Sequence, residues 1–351
     1  MERSMRVAEH PERFLYLQQE QIVACGGLDI VATMEVVEHV FRLFDEGAVI
    51  DLPPSVIHWG DRMARRVALH AAYVGGDLEV TGIKWIPSNP DNPRTLKLPR
   101  SNAITILNDA DTGYPLAVLE GKLISDMRTG AVCGVGAKYL ARPGASVAGF
   151  IGGGPSSRTQ LMALHRVLPE LARVVVFDLV RENAERFVVD MSRRLELPQR
   201  MFTIAASAEA AVREADVLVT ATGVNIRRRY LRWEWLRPGT LLVNHSVNDP
   251  EFDVFERADL VALDSRAQLE FSDVVIAECH KRGLLAESRT ALFGSVVTGR
   301  HPGRKTANDI IVFSPAGMGM TDVAVASRIY GIARAKGIGT QLRLWDSPIW
   351  Y

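Results

Sequence analysis

Residues 150–157 read Phe150-Ile151-Gly152-Gly153-Gly154-Pro155-Ser156-Ser157, and this stretch decides the fold. The apolar run 146–150 precedes it and the helix-like run 158–168 follows. A second apolar run, Arg173-Val174-Val175-Val176-Phe177, ends on Asp178. Strand, glycine turn, helix, strand and acid, in that order, build a dinucleotide site. Gly152 permits the tight turn, and Gly154 lets the backbone approach a pyrophosphate. The amides at the helix start face the phosphates. Asp178 is placed to accept hydrogen bonds from a ribose 2′-hydroxyl, which favours NAD over NADP. Ser157 replaces the third glycine of the motif.

Outward from this stretch the pattern has two characters. Downstream, strands are expected at 146–151, 173–178, 202–205, 216–222, 240–246, 259–264 and 309–313, with helices at 182–195 and 208–214 among them. Strands alternating with helices imply a parallel, doubly wound sheet. Upstream, a short strand is expected at 15–17. Asp29 caps a helix whose Ile30, Met34, Val37, Phe41 and Phe44 share one face, and Gly47 ends it. A Pro53-Pro54 turn, strand-like segments 67–74, 78–86 and 103–107, a hairpin turn at 108–113 and a returning strand at 116–120 follow. This region is antiparallel in character. A helix runs from about Ser125 to Leu140, and a last helix, 322–336, packs back onto the first region. The expected fold is α/β: a Rossmann-type doubly wound parallel sheet plus a split α+β domain with an antiparallel sheet. Residues 1–128, completed by 318–351, form the substrate-binding and dimerisation domain, and 129–317 the NAD-binding domain.

The chain has 351 residues, 47% of them hydrophobic, enough for two domains with cores of their own. Lysine plus arginine equals aspartate plus glutamate, 41 each, which gives no general electrostatic reason to hold nucleic acid or an anionic membrane. Residues 1–14 read as a polar, mobile leader without an apolar signal core, and no apolar run approaches a membrane span. Cys25, Cys133 and Cys279 are scattered and odd in number, which fits a reducing cytoplasm. None has metal-ligand spacing, and Cys279-His280 reads as a surface helix end. A cytoplasmic protein without a metal is expected.

A nicotinamide domain implies hydride transfer but leaves the substrate open. Lys84 lies in the apolar strand segment Gly82-Ile83-Lys84-Trp85-Ile86; it either faces solvent or points inward toward an anionic partner. Arg128, in Asp126-Met127-Arg128-Thr129-Gly130, stands where the helix feeds the nucleotide domain, as a surface residue or as a bidentate clamp for a carboxylate. Asp249 follows the strand 241–246. Ligands lie at the carboxyl ends of such strands, and a carboxylate there can move a proton on a substrate nitrogen. The alternative is a plain Asp-Pro turn. His245, on the same edge, reads as a packed residue, and His58, after the Pro-Pro turn, is a further candidate.

Several segments together resemble the ornithine cyclodeaminase/mu-crystallin family: Gly82-Ile83-Lys84-Trp85, Leu107-Asn108-Asp109 with Thr112-Gly113-Tyr114-Pro115, Met127-Arg128-Thr129-Gly130-Ala131, and Ile151-Gly152-Gly153-Gly154. The resemblance covers about residues 15–340. Val297-Thr298-Gly299, Pro302-Gly303-Arg304 and Gly337-Ile338-Gly339-Thr340 are similar to the siderophore-pathway branch that forms L-2,3-diaminopropionate. What the resemblance implies is specific. Lys84 and Arg128 hold the substrate carboxylate, and Asp249 is the general acid/base. Thr129, Gly152, Gly154, Ser156, Ser157, Asp178, Thr222, Ser246 and Ala316 border NAD. The protein oxidises an amino-acid C–N bond and forms a homodimer through the antiparallel domain. A cyclodeaminase, a ketimine reductase and a non-enzymatic metabolite-binding protein are the rival readings. One departure stands out: family cyclodeaminases carry an arginine soon after the proline turn, where this chain has Ser55-Val56-Ile57-His58. His58 or Arg62 is the expected substitute, and a different or larger amino acid than ornithine is implied as substrate. Asn248, before the acid, replaces a residue that is small in cyclodeaminases.

Overall fold

The computed structural model describes residues 12–60, 65–223, 229–271 and 274–350. The chain divides into two compact units, Met1–Arg128 with Met318–Tyr351, and Thr129–Gly317. The boundary falls inside one continuous helix, Gly121–Leu140, which starts a full turn earlier than the sequence suggests.

The first unit is a mixed sheet backed by helices. Its strands are β1 (Arg13–Leu17), β2 (Val49–Asp51), β3 (Ser55–His58), β4 (Arg66–Val74), β5 (Val80–Ser88), β6 (Ile104–Asp109) and β7 (Pro115–Glu120), with Thr340–Arg343 at the far edge. The order is Thr340–Arg343, β1, β7, β6, β5, β4, β2, with β3 also on β4. Pairing is antiparallel except between β1 and β7, which run parallel. Arg13 and Phe14, expected in a leader, belong to β1. β2 and β3 went unread because each is short; Pro53-Pro54 lack ladder donors and break what would be one edge strand into two.

Strand alternation sorts this sheet into two faces. Leu15, Leu17, Ala68, Val74, Val80, Leu107, Ala117 and Leu119 are buried on one of them, which the helix Gly319–Lys336 covers. The helix Ile30–Asp45 packs behind it. Asp29 caps that helix by accepting from the Ala32 amide at 3.0 Å, as its sequence indicates. Gly82 sets how close the cover lies: a Cβ there would fall 2.6 Å from the Ile106 carbonyl oxygen and 3.1 Å from Val323 Cγ2. The other face presents Tyr16, Ile50, Ile57, Trp85 and Ile104 to solvent.

The second unit is an all-parallel sheet. After β8 (Val147–Ile151), β9 (Arg173–Phe177), β10 (Phe202–Ile204), β11 (Val217–Thr220), β12 (Leu241–Val243), β13 (Leu260–Leu263), β14 (Thr290–Leu292) and β15 (Ile311–Ser314), the order is β10-β9-β8-β11-β12-β15-β13-β14. The chain builds outward from β8 in one direction and resumes at β11 in the other, so the topological switch lies between β8 and β11. β12 is shorter than expected: residues 244–246 leave the sheet after Val243. Cys279 is buried in the helix Val275–Lys281, which corrects its reading as a surface helix end; Cys25 and Cys133 are buried too. Among the described residues no helix is long and apolar enough to cross a membrane, and no cluster of histidine, cysteine and acids has metal-binding geometry.

Candidate active site

In the second unit the glycine stretch follows β8. Gly152 has φ +103°, and a Cβ on it would meet the Ala221 carbonyl oxygen at 2.5 Å, so this turn and the one after β11 touch. Gly154 is the N-cap of the helix Pro155–Val167, with Pro155 as its first residue and no side chain capping it. A Cβ on Gly154 would meet nothing within 4 Å, which leaves an open cradle before uncapped amides. Asp178, at the end of β9, accepts from the Gly153 amide at 2.8 Å and from Val180 N at 2.8 Å. A carboxylate has lone pairs to spare for a ribose hydroxyl. Open cradle, free helix start and adjacent acid together fit a dinucleotide.

Ser156 is partly exposed at the helix start. Ser157 is buried, and its hydroxyl donates to the Gly152 carbonyl at 2.6 Å. The Ser157 side chain is thus tied to the turn itself. Thr129 is buried in the helix Gly121–Leu140. Ala316 is partly buried after β15, in a turn held by Asp264, which accepts from the Gly317 amide at 2.9 Å. Asp264 was not singled out in the sequence; its place at the end of β13 is the signal that finds it.

Three expected residues converge beyond β11 and β12. Asp249 is 3% exposed. The Thr222 hydroxyl donates to its carboxylate at 2.8 Å, and the Thr222 amide donates to Ser246 Oγ at 2.7 Å. The Tyr230 hydroxyl is buried beside the same carboxylate. Burial pushes the Asp249 carboxyl up, and the neighbouring hydroxyls hold it back only in part. Such a group is poised to take and return a proton. Val247, between Ser246 and Asn248, has φ +60°, a strained conformation for a β-branched residue. Asn248 accepts from the Val275 amide at 2.9 Å, so the residue that departs from the cyclodeaminase pattern ties this loop to the next helix.

The first unit holds the other expected group. Lys84 is 1% exposed and points to the covered face, which settles the two readings of its strand. Its ammonium donates to Asp322 Oδ2 at 2.7 Å, and Arg128 Nε donates to Asp322 Oδ1 at 3.1 Å. Ser125 Oγ lies 3.5 Å from Lys84 Nζ and 3.4 Å from Arg128 Nη2. Burial, and then Arg128, lower the Lys84 pKa to about 8, against the pull of Asp322. Burial alone would raise the Asp322 carboxyl, but Arg128 and Lys84 outweigh it and keep it below the usual carboxylate range. His70, opposite Lys84 on β4, is pushed down to about 3 by burial and then by Lys84, so it is neutral. Asp322 escaped the sequence reading because it was taken as the first residue of the last helix. That helix starts at Gly319, and Asp322 sits one turn in, fully buried. An inward lysine demands such an anion, and an acid among Met320, Val323 and Ala324 was the available clue. His58 is exposed on the edge strand β3, and Arg62 lies outside the described residues.

The family model for ornithine cyclodeaminase/mu-crystallin proteins matches residues 17–337. The chain belongs to that family. Among its relatives, N-((2S)-2-amino-2-carboxyethyl)-L-glutamate dehydrogenase of Staphylococcus aureus (strain NCTC 8325 / PS 47) is 34% identical over 284 residues, 81% of this chain and 83% of that protein. The structure of Thermococcus litoralis Δ1-pyrroline-2-carboxylate reductase in complex with NADH and L-proline superposes with a TM-score of 0.85 at 28% identity, covering 93% of this chain and 99% of that one. An archaeal alanine dehydrogenase dimer with bound NAD gives 0.82 at 29%, covering 95% and 100%. This ornithine cyclodeaminase/mu-crystallin family uses NAD(H), and its members named here are dehydrogenases and reductases.

Proposed function

We propose that the protein is an NAD-dependent dehydrogenase that oxidises a secondary amine, N-(2-amino-2-carboxyethyl)-L-glutamate, and releases 2-oxoglutarate and L-2,3-diaminopropionate. The observation that carries this reading is the buried Lys84–Asp322–Arg128 group, in a chain 34% identical to an enzyme named for that reaction. When bound, NAD supplies the acceptor for the hydride of the glutamyl Cα. Lys84 and Arg128 hold the α-carboxylate. Asp322 takes one donor from each and aims the rest, since an ammonium has three N–H groups and a guanidinium five. Asp249 takes the amine proton as the C–N bond gains double-bond character, with Thr222 fixing its carboxylate. Water then adds to the imine carbon, and the C–N bond breaks. Per turnover one substrate, one NAD and one water become 2-oxoglutarate, diaminopropionate, NADH and a proton. Gly154, the helix start and Asp178 hold the dinucleotide.

The test is NADH formation by the purified protein with NAD and N-(2-amino-2-carboxyethyl)-L-glutamate, ornithine, lysine, alanine or proline, with products read by mass spectrometry. NADH with 2-oxoglutarate and diaminopropionate is expected. Proline formed from ornithine without net NADH would move the protein to the cyclodeaminases. Asp249→Asn is expected to lower kcat by about 10²–10⁴-fold while NADH binding, read by fluorescence, persists.

The reading includes a homodimer. Ile57 is 60% exposed, and Tyr16, Ile50, Trp85 and Ile104 line the same uncovered sheet face. A contiguous apolar face of this kind is an interaction surface, and a second copy is the occupant that the dimeric alanine dehydrogenase supports.

A further inference from the structure

On the covered face of the first unit's sheet, one polar row of side chains runs between apolar ones. Residues directly opposite each other across an antiparallel pair share a face, with Cβ atoms about 4.5–5.5 Å apart. The register sets His70 opposite Lys84 and Lys84 opposite Thr105, so the three cross β4, β5 and β6 side by side. The row on one side is Ala72, Gly82 and Leu107; on the other, Ala68 faces Ile86. The start of the helix Gly319–Lys336 rests on β4 at the polar row: a Cβ on Gly319 would fall 3.0 Å from the His70 carbonyl carbon. One turn further on, Asp322 meets Lys84.

The row holds an unpaired polar atom on each side of Lys84. His70 Nδ1 and Thr105 Oγ1 are sealed from solvent, and neither has a hydrogen-bond partner among the described residues. Such groups cost stability in the free protein. The first unit has one other sealed, unpaired side-chain atom among the described residues, Arg65 Nε, whose guanidinium faces Asp91 at 3.8 Å. The two ends of the row differ. Thr105 is 0% exposed, whereas His70 is partly exposed, so a ligand reaches the row from the His70 end. Burial, and then the charge of Lys84, keep the His70 ring neutral. It therefore offers one N–H and adds no cation to the two that share Asp322. A carboxylate has about four lone-pair sites, and two cations that also serve Asp322 leave room for a neutral donor.

We propose that His70 is a substrate-binding residue whose Nδ1–H donates to the carboxylate of a 2-amino or 2-oxo acid, the same carboxylate that Lys84 and Arg128 hold. The proposal rests on the reading of Lys84 and Arg128 as the carboxylate site. The unpaired nitrogen is then paired in the complex, and its cost in the free protein is returned on binding.

2-Oxoglutarate and pyruvate share that carboxylate and differ at the other end. Their affinities are measured calorimetrically on the NADH-loaded protein, in wild type, His70→Leu, His70→Asn and Thr105→Val. Scanning calorimetry gives the melting midpoints of the free proteins. His70→Leu is expected to weaken both acids alike, by about 10–100-fold, the loss of one hydrogen bond to a charged group. Its midpoint is expected to stay level or rise, because the ring nitrogen gives up no partner in the free protein. His70→Asn, which returns an N–H close to the Nδ1 position, is expected to recover most of the affinity. Thr105→Val, at the closed end of the row, is expected to leave both affinities within about twofold of wild type. A wild type that binds neither acid, or a His70→Leu protein that binds both as well as wild type does, overturns the proposal. So does a loss confined to 2-oxoglutarate, an equal loss in Thr105→Val, or a loss accompanied by a lowered midpoint. The expected His70 effect without NADH formation from N-(2-amino-2-carboxyethyl)-L-glutamate keeps this contact and sinks the proposed reaction. NADH formation with affinities indifferent to His70 does the reverse.

Discussion

Asp322→Asn removes the carboxylate that Lys84 and Arg128 share while keeping the side chain's shape. The acid lies 2.7 Å from Lys84 Nζ and 3.1 Å from Arg128 Nε. At an effective dielectric of about 20 these pairs are worth about 6 and 5 kcal/mol. Desolvation of three buried groups offsets much of that, and removing one partner of a buried pair costs about 3–5 kcal/mol. At about 2 °C per kcal/mol for a chain of this size, the melting midpoint is expected to fall about 6–10 °C near pH 7. The pH dependence is the sharper reading. The Asp322 carboxyl sits below its usual range, so its stabilisation is present above the unfolded value of about 3.9 and is lost as pH falls through the folded one. On the alkaline side Lys84 loses its proton near 8, and Asp322 then answers Arg128 alone. Differential scanning calorimetry from about pH 2 to 10 should therefore show a gap between wild type and variant that is widest near neutrality, narrows below about pH 4 and narrows again above about pH 8. Equal midpoints at pH 7, or a gap of constant size across the range, would refute the reasoning.

Three further outcomes are expected. The pH profile of kcat/KM for NADH formation is a bell: its acid limb is displaced above the ordinary carboxylate range by the buried Asp249, and its alkaline limb lies near 8, where Lys84 discharges. A flat profile would remove both assignments. Val247→Gly relieves the strain at φ +60° and is expected to gain about 0.5–1 kcal/mol in stability while kcat falls, because the loop holding Ser246 and Asp249 loosens. Lower stability in urea unfolding would show that Val247 is not strained. Ile57→Glu, on the uncovered sheet face, should yield a monomer in light scattering with NADH affinity intact, whereas a dimer that tolerates the charge would place the interface elsewhere.

The second unit was legible because its signals are local. Each strand is a compact apolar run, and Gly152, Gly154 and Asp178 lie within one strand–turn–helix–strand unit. Asp249 was singled out because it follows β12 on the edge where ligands gather. The first unit was legible only in outline. Lys84 and Asp322 are 238 residues apart in sequence, and nothing near either names the other. The strand expected at 240–246 ends at Val243 because the chain turns there, the His245 amide bonding back to the Val243 carbonyl at 3.0 Å.

Strands β4 and β5 write two messages in alternate letters. The even positions, Arg66, His70 and Lys84 among them, set what lies under the helix Gly319–Lys336; the odd ones, Trp85 among them, set the outer surface. Substitutions in one set leave the other untouched, so the substrate preference of such a sheet is free to drift while its outer surface holds. Insertions have no such freedom. A single added residue in β5 would exchange Lys84 for its neighbour and turn the ammonium outward, so length can change here only in steps of two.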